Sequence, residues 1–380
     1  MKYNKKKAGE FELAKAIAIL GLPFIHFLEE AGLEYGFLLP EVENIIEPIC
    51  FLTIFGPAVF MLCMGFAMGG SYNWKRLQKN GIQFLIIGYS LNTFCFAIPY
   101  FIIWARGGDR TLEAAVRLMF NPDIYVFVGW FYVFYSILRR CKATSLTTFL
   151  VTFCMLLTNS FTGHFVELPD TIPARIIGNF ITVNDSSFFP LFGWAIFPFV
   201  GIWLGDALKK YSNEEYHFTM KRLLFGSVAG LAAFSLVLYA YGVSPMDILL
   251  NFTNSYILDL FTVILLLLTS SVVIGIMHML YQLVPENPFE RAMLKISPFI
   301  MSFYLIQWLV VSAVVYYGLL VFDAPKHIFG LGASFSVMFS MWLISFECTY
   351  RHGFAFLRFV LTKSDYTKWF RKKKKVHQIA

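Results

Sequence analysis

Five polar side chains crowd one otherwise apolar stretch near the N-terminus: Glu12, Lys15, His26, Glu29 and Glu30. Ionisable groups inside a membrane-length apolar run are costly, so each invites a functional reading. Glu12 and Lys15 are spaced i, i+3 and share a helix face. His26 follows Lys15 by eleven positions and falls ~16 Å further along a helix axis. Pro23 has no N–H for the carbonyl of Ile19, so the helix is expected to kink just before the histidine. Imidazole titrates near neutrality and can take a proton from a hydroxyl or amine, which suits group transfer in a water-accessible cavity. A histidine bonded to a neighbouring helix is the structural alternative. Glu29 and Glu30 lie a turn beyond, where solvation at a membrane interface or contact with a substrate would both account for them.

The elements that must position these groups are membrane helices. The 380 residues are 58% hydrophobic, 18% aromatic and only 14% charged, with a mean hydropathy of +0.63. Soluble domains run at ~45–50% apolar and ~25% charged. A disordered, collagen-like or disulfide-stapled chain is excluded, and an all-α polytopic bundle remains. A span needs ~20 apolar residues. Ten stretches qualify: 12–30, 45–68, 81–104, 123–139, 144–160, 188–208, 222–241, 256–281, 296–320 and 328–350. The whole of 1–350 reads as one helical bundle, with 351–380 as a cytoplasmic basic amphipathic tail.

Charge placement orients the bundle. With the N-terminus inside, only Arg106, Arg110, Arg117, Arg175 and Lys326 among the 31 Lys and Arg fall in outer segments, and Lys15 lies within the first helix. This bias predicts that both termini are cytoplasmic in a multi-pass protein of the cell membrane. The net charge of +7 is therefore topology rather than a nucleic-acid surface. Lys2 and Lys5 to Lys7 precede the first apolar run without a small-residue cleavage site, so a retained signal-anchor helix is expected. The six cysteines form no CxxC pair and read as small hydrophobes. His278, His164 and His327 form no HxxxH or HxxE set, so no metal is expected. Gly65-x-x-x-Gly69, Gly201-x-x-x-Gly205 and Gly226-x-x-x-Gly230 signal close helix packing, within the chain or across a homodimer. No Gly-x-Ser-x-Gly elbow, Walker loop or dinucleotide fingerprint is present.

Several stretches carry a resemblance. Lys15-x10-His26 within FELAKAIAILGLPFIH resembles the first helix of the transmembrane acyltransferase superfamily, whose members carry Arg-x10-His or Asn-x10-His. Glu12 and Lys15 resemble the Asp-x-x-Arg of its YeiB-like bacterial branch. WKRLQKNGIQFLIIGYSLN (74–92) resembles the basic start of the third helix in the heparan-alpha-glucosaminide N-acetyltransferase and YeiB-like branches. FFPLFGWAIFPFVGIWLGDAL (188–208) resembles their Phe-Pro-x-x-Pro-Trp and Gly-x-x-x-Gly run, with Gly193 in place of the second proline. ISPFIMSFYLIQW (296–308) resembles their penultimate helix, with Gln307 as in YeiB-like proteins. YRHGFAFLRF (350–359) resembles the YeiB-like ending without its proline and glutamate.

The resemblance implies a membrane acyltransferase that moves an acetyl or short acyl group from cytoplasmic acyl-CoA to an extracytoplasmic sugar or glycan near His26, as base or acyl carrier. Acetyl-CoA would be the cosubstrate. Lys15, Arg76 and Lys79 would hold its phosphates, although ordinary positive-inside charge also explains them. Asn92 would donate to an oxyanion, and Glu29, Glu30 and Gln307 would meet the acceptor. For Asn92 and Gln307 a bond to a neighbouring helix is the plainer alternative. A secondary transporter or flippase is the rival class. No inverted repeat or paired broken helix supports it.

Overall fold

The computed structural model describes residues 9–42, 44–45, 55–69, 73–184, 186–208, 210–248, 258–283 and 288–360. Every regular element among them is helical, apart from one isolated parallel bridge between Leu38 and Phe329. In chain order the helices are α1 Gly9–Leu20, α2 Leu22–Phe27, α3 Gly56–Met68, α4 Trp74–Asn92, α5 Ile98–Ala105, α6 Leu112–Met119, α7 Ile124–Arg140 and α8 Ser145–Phe165. There follow α9 Ile172–Gly178, α10 Leu191–Trp194, α11 Ile196–Leu208, α12 Asn213–Ala240, α13 Leu260–Leu283, α14 Pro288–Ile296, α15 Ile300–Ser312 and α16 Leu331–Val360. Three π-helical segments interrupt them: π1 Leu28–Glu34, π2 Thr93–Ala97 and π3 Ala313–Leu320.

Eight continuous helical stretches are long and apolar enough to cross a bilayer: Gly9–Gly32, Trp74–Ala105, Ser145–Phe165, Leu191–Leu208, Asn213–Ala240, Leu260–Leu283, Glu290–Leu320 and Leu331–Arg351. The protein is thus a polytopic helical bundle. The other two expected spans are present as shorter helices, α3 with 13 residues and α7 with 17. Most of the second expected span upstream of α3 lies outside the described residues. So does the end of the expected basic tail, 361–380; up to Val360 that segment continues α16 without a break.

Local chemistry starts and stops these helices. Side-chain oxygens of Asn73, Thr111, Asp123, Thr144, Thr171 and Ser212 each accept from a first-turn backbone N–H, which satisfies donors no helix can pair internally. The expected kink falls at Gly21, where α1 ends and α2 restarts with Pro23 in its first turn. Beyond the caps, two glycine motifs knit the bundle together. A Cβ on Gly65 would fall 2.0 Å from the backbone oxygen of Pro198, and one on Gly201 would fall 2.1 Å from that of Leu62, so α3 and α11 touch backbone to backbone. Gly226 meets nothing within 4 Å. Its helix, α12, carries exposed Phe225, Leu236 and Tyr239, an apolar face suited to lipid.

Candidate functional site

His26 sits in the last turn of α2, immediately before π1. Its ring lies on Trp308 of α15, centroids 4.2 Å apart and tilted 32°, and edge-on to Tyr304 at 6.3 Å. His26 Nδ1 is 3.2 Å from Glu29 Oε2. A carboxylate only accepts, so Nδ1 is the donor of this pair, and in the neutral ring the lone pair is on Nε2. Nε2 is buried and has no hydrogen-bond partner among the described residues. The arrangement is a carboxylate-oriented imidazole with its basic nitrogen unspent, which fits a general base or nucleophile.

The three π segments meet around this ring. Tyr316 in π3 donates to Glu30 in π1 at 2.5 Å. Ser312, at the end of α15, donates to the carbonyl of Cys95 in π2 at 2.7 Å, and Tyr317 donates to that of Phe94 at 2.7 Å. Phe96 of π2 packs edge-on against both Trp308 and Tyr316, at 5.0 and 5.1 Å. π turns leave carbonyls without the usual intrahelical partner, and here side-chain hydroxyls from a neighbouring helix take them. Glu29 and Glu30, expected as substrate contacts, are engaged by His26 and Tyr316.

Asn92 ends α4 and is fully buried. Its Nδ2 donates to the carbonyl of Asn121 at 2.7 Å, and its Oδ1 has no partner among the described residues. One of its donors, expected to meet an oxyanion, is therefore spent on the chain, and an acceptor is what remains. Asn121 is in turn held by Arg175, which also grips Asp170 through two bonds of 2.7 and 2.8 Å. Those bonds, with Arg117 beside them, hold the Asp170 carboxyl below the usual aspartate range. The long loop after α8 thus clamps the start of α7. Gln307 is fully buried, and neither of its amide atoms has a partner among the described residues.

At the basic end of the bundle Lys15 pairs with Glu12 at 2.8 Å, and Glu12 also accepts from Ser297. Lys15 lines a cavity of about 180 Å³ with Ser297, Tyr132, Met64, Phe84 and Met301. Arg76 and Lys79 are exposed on the first turns of α4. Beside them, Lys75 and Arg140 lie over the ring of Trp74 at 5.5 and 5.3 Å, which ties the start of α4 to the end of α7. Lys15 faces this cavity, whereas Arg76 and Lys79 are exposed on α4.

Two features escaped the sequence. Asp123, the cap of α7, keeps Oδ2 buried and unpartnered among the described residues. His278, which looked solitary, joins a chain: Nδ1 is 3.1 Å from Glu10 Oε1, Nε2 is 2.8 Å from His217 Nδ1, and Tyr216 donates to the same Glu10 oxygen. An aspartate before an apolar run reads simply as a helix start, and the spacing of His217 and His278 carries no motif. No cluster of three or more His, Cys, Asp or Glu arranged to hold a metal ion occurs among the described residues.

The family model described as an acyltransferase domain matches residues 9–346, nearly the whole chain, and the protein belongs to that family. No curated protein and no solved structure matches it.

Proposed function

From that membership we propose an acyl-CoA-dependent acyltransferase of the cell membrane, closest in character to the heparan-alpha-glucosaminide N-acetyltransferase and YeiB-like branches. It moves an acetyl or short acyl group from cytoplasmic acyl-CoA to an extracytoplasmic sugar or glycan, with both termini in the cytoplasm. The observation that supports it most is the His26–Glu29 pair, which leaves Nε2 bare and buried.

In a single displacement, Nε2 takes the proton of an acceptor hydroxyl as that oxygen attacks the thioester carbonyl. The carbon–sulfur bond breaks, and the CoA thiolate leaves with a proton returned by the imidazolium. In a double displacement, Nε2 attacks the thioester carbonyl first and the CoA thiolate leaves; the acceptor oxygen then takes the acyl group from the acyl-imidazolium, its proton passes to the thiolate, and the ring is left neutral. On the donor side, Arg76 and Lys79 meet the CoA phosphates, and the cavity beside Lys15 receives the thioester end. Asn92 and Gln307 line the route to the acceptor.

The test uses purified protein in proteoliposomes with radiolabelled acetyl-CoA on the cytoplasmic side and methyl glycosides on the other. Label transferred to glycoside by wild type, and lost ~10²–10⁴-fold in His26→Ala with CoA binding kept, supports the reading. Transfer by a stable His26→Ala protein within a few-fold of wild type overturns the role of His26. Glycoside uptake without acetyl-CoA consumption would identify a transporter instead.

A further inference from the structure

The start of α7 carries more oxygen than its cap requires. Asp123 Oδ1 accepts from the N–H of Val126 at 2.8 Å, which makes the cap, and the backbone N–H of Tyr125 also bonds to this carboxyl. Thr111, Thr144, Thr171 and Ser212 do the same work with one hydroxyl each. Asp259 also caps with Oδ1, but its Oδ2 lies 3.9 Å from His164 Nε2 on a partly exposed surface. Asp123 Oδ2 is buried and meets no donor among the described residues. Leaving a carboxylate oxygen so placed is costly in any fold, and a threonine cap would avoid the cost.

Its neighbours lead to His26. Two positions earlier, the carbonyl of Asn121 holds Asn92. Two positions later, the Tyr125 hydroxyl donates to the carbonyl of Met301 at 2.5 Å, and its ring lies 5.6 Å from that of Tyr304. Tyr304 is the ring edge-on to His26.

Asp123 Oδ2, Asn92 Oδ1 and His26 Nε2 are each buried without a partner among the described residues, on elements that these contacts join, and the amide of Gln307, next to Trp308, is unpartnered there as well. The first three atoms are hydrogen-bond acceptors. The reacting end of an acyl thioester brings a carbonyl oxygen and a sulfur and has no proton to give them. A polyol or amino sugar brings several. We propose that Asp123 is an acceptor-binding residue, taking a hydroxyl or amine proton of the sugar next to the hydroxyl that His26 deprotonates. This assignment rests on the acyltransferase reading above and adds a residue that recognises the acceptor.

Asp123→Asn and Asp123→Ser separate this role from capping, because both keep an oxygen that caps well. The first turns the spare oxygen into an N–H donor, and the second removes it. Initial rates are measured in proteoliposomes with acetyl-CoA and a panel of methyl glycosides with their monodeoxy analogues. Acetyl-CoA hydrolysis without glycoside is followed in parallel. The expected result is a glycoside KM raised about ten- to hundred-fold in both variants, with the acetyl-CoA KM and the melting temperature unchanged. One deoxy analogue should show the raised KM on wild type and no further rise on Asp123→Asn. Wild-type glycoside KM in both variants overturns the proposal, as does equal loss of both KM values with a lowered melting temperature. Acetyl-CoA hydrolysis with transfer to no glycoside overturns the acceptor class. Absence of any acetyl-CoA turnover in wild type overturns the reading beneath it, and only that result is silent in every assay.

Discussion

Tyr316 donates to Glu30 at 2.5 Å, so the carboxylate next to the histidine's own partner is held by a different helix. Glu29 is thereby left as the group that fixes the His26 ring. Replacing Glu29 by Ala frees the tautomer and orientation of the imidazole, and the rate of acyl transfer should fall about 10²-fold. Glu30→Gln, which keeps an oxygen for Tyr316, should cost far less. Steady-state kinetics of the two purified variants check the contrast, and equal losses would contradict the division of roles.

On the donor side, Arg76→Ala should weaken CoA binding about ten- to hundred-fold, the usual worth of a charge-assisted phosphate contact. Calorimetry in detergent reads it. Unchanged affinity in the folded variant would leave Arg76 as a topology charge.

The Glu10–His278–His217 chain makes a prediction about stability. Glu10 and His278 are each 1% exposed. His278→Ala strands a buried carboxylate, and removing one partner of such a pair costs about 3–5 kcal/mol. A large drop in melting temperature is expected, with a smaller one for the half-buried His217→Ala. Thermal melts of both variants decide it.

The glycine motifs divide in the same way. Gly201→Ala drives a methyl into the backbone of Leu62 and should cost about 3 kcal/mol, the upper end for overpacking. Gly226→Ala fills open space on a helix and should be neutral or stabilising by up to ~1 kcal/mol. Melting temperatures in detergent measure both. A damaging Gly226→Ala would point to a partner on that face.

Asp170 supplies an acid-side prediction. Its carboxyl is held below its ordinary range in the folded protein, so the folded state binds its proton less readily than the unfolded chain. The stabilising contribution is present above the unfolded value of ~3.9 and fades as pH falls through the lower folded value. Wild type should therefore exceed Asp170→Asn in melting temperature at pH 6, with the gap closing below pH ~4. The exposed share of the side chain keeps the gap small.

Much of this architecture was legible in the sequence, because lipid demands apolar length and both are written in the same residues. The eight long spans coincide with apolar runs, and Gly21-Leu22-Pro23 marks the break before His26. What stayed hidden depends on partners distant in sequence. His217 and His278 meet across two helices, and Asn92 spends its donor on a backbone carbonyl 29 residues away. Asp123 looks like any cap until the burial of its second oxygen is known. The π segments have no sequence signature of the strength of a proline or a glycine. Their residues are ordinary helix formers whose hydrogen bonds are decided by the neighbours.

Those π segments set the rotational phase of everything beyond them. Each residue of an α-helix turns the chain by about 100°, and a π turn accommodates one extra residue. Were Thr93–Ala97 to close as α turns with every residue kept, α5 would swing round its own axis by roughly that angle, carrying Tyr100 away from its 2.9 Å hydroxyl pair with Tyr35. The same holds for π1 and π3, whose phases decide that Glu30 and Tyr316 face each other at all. The half of the bundle that holds these segments is in this sense a combination lock with three wheels, and its aromatic and acidic groups align only when all three are set.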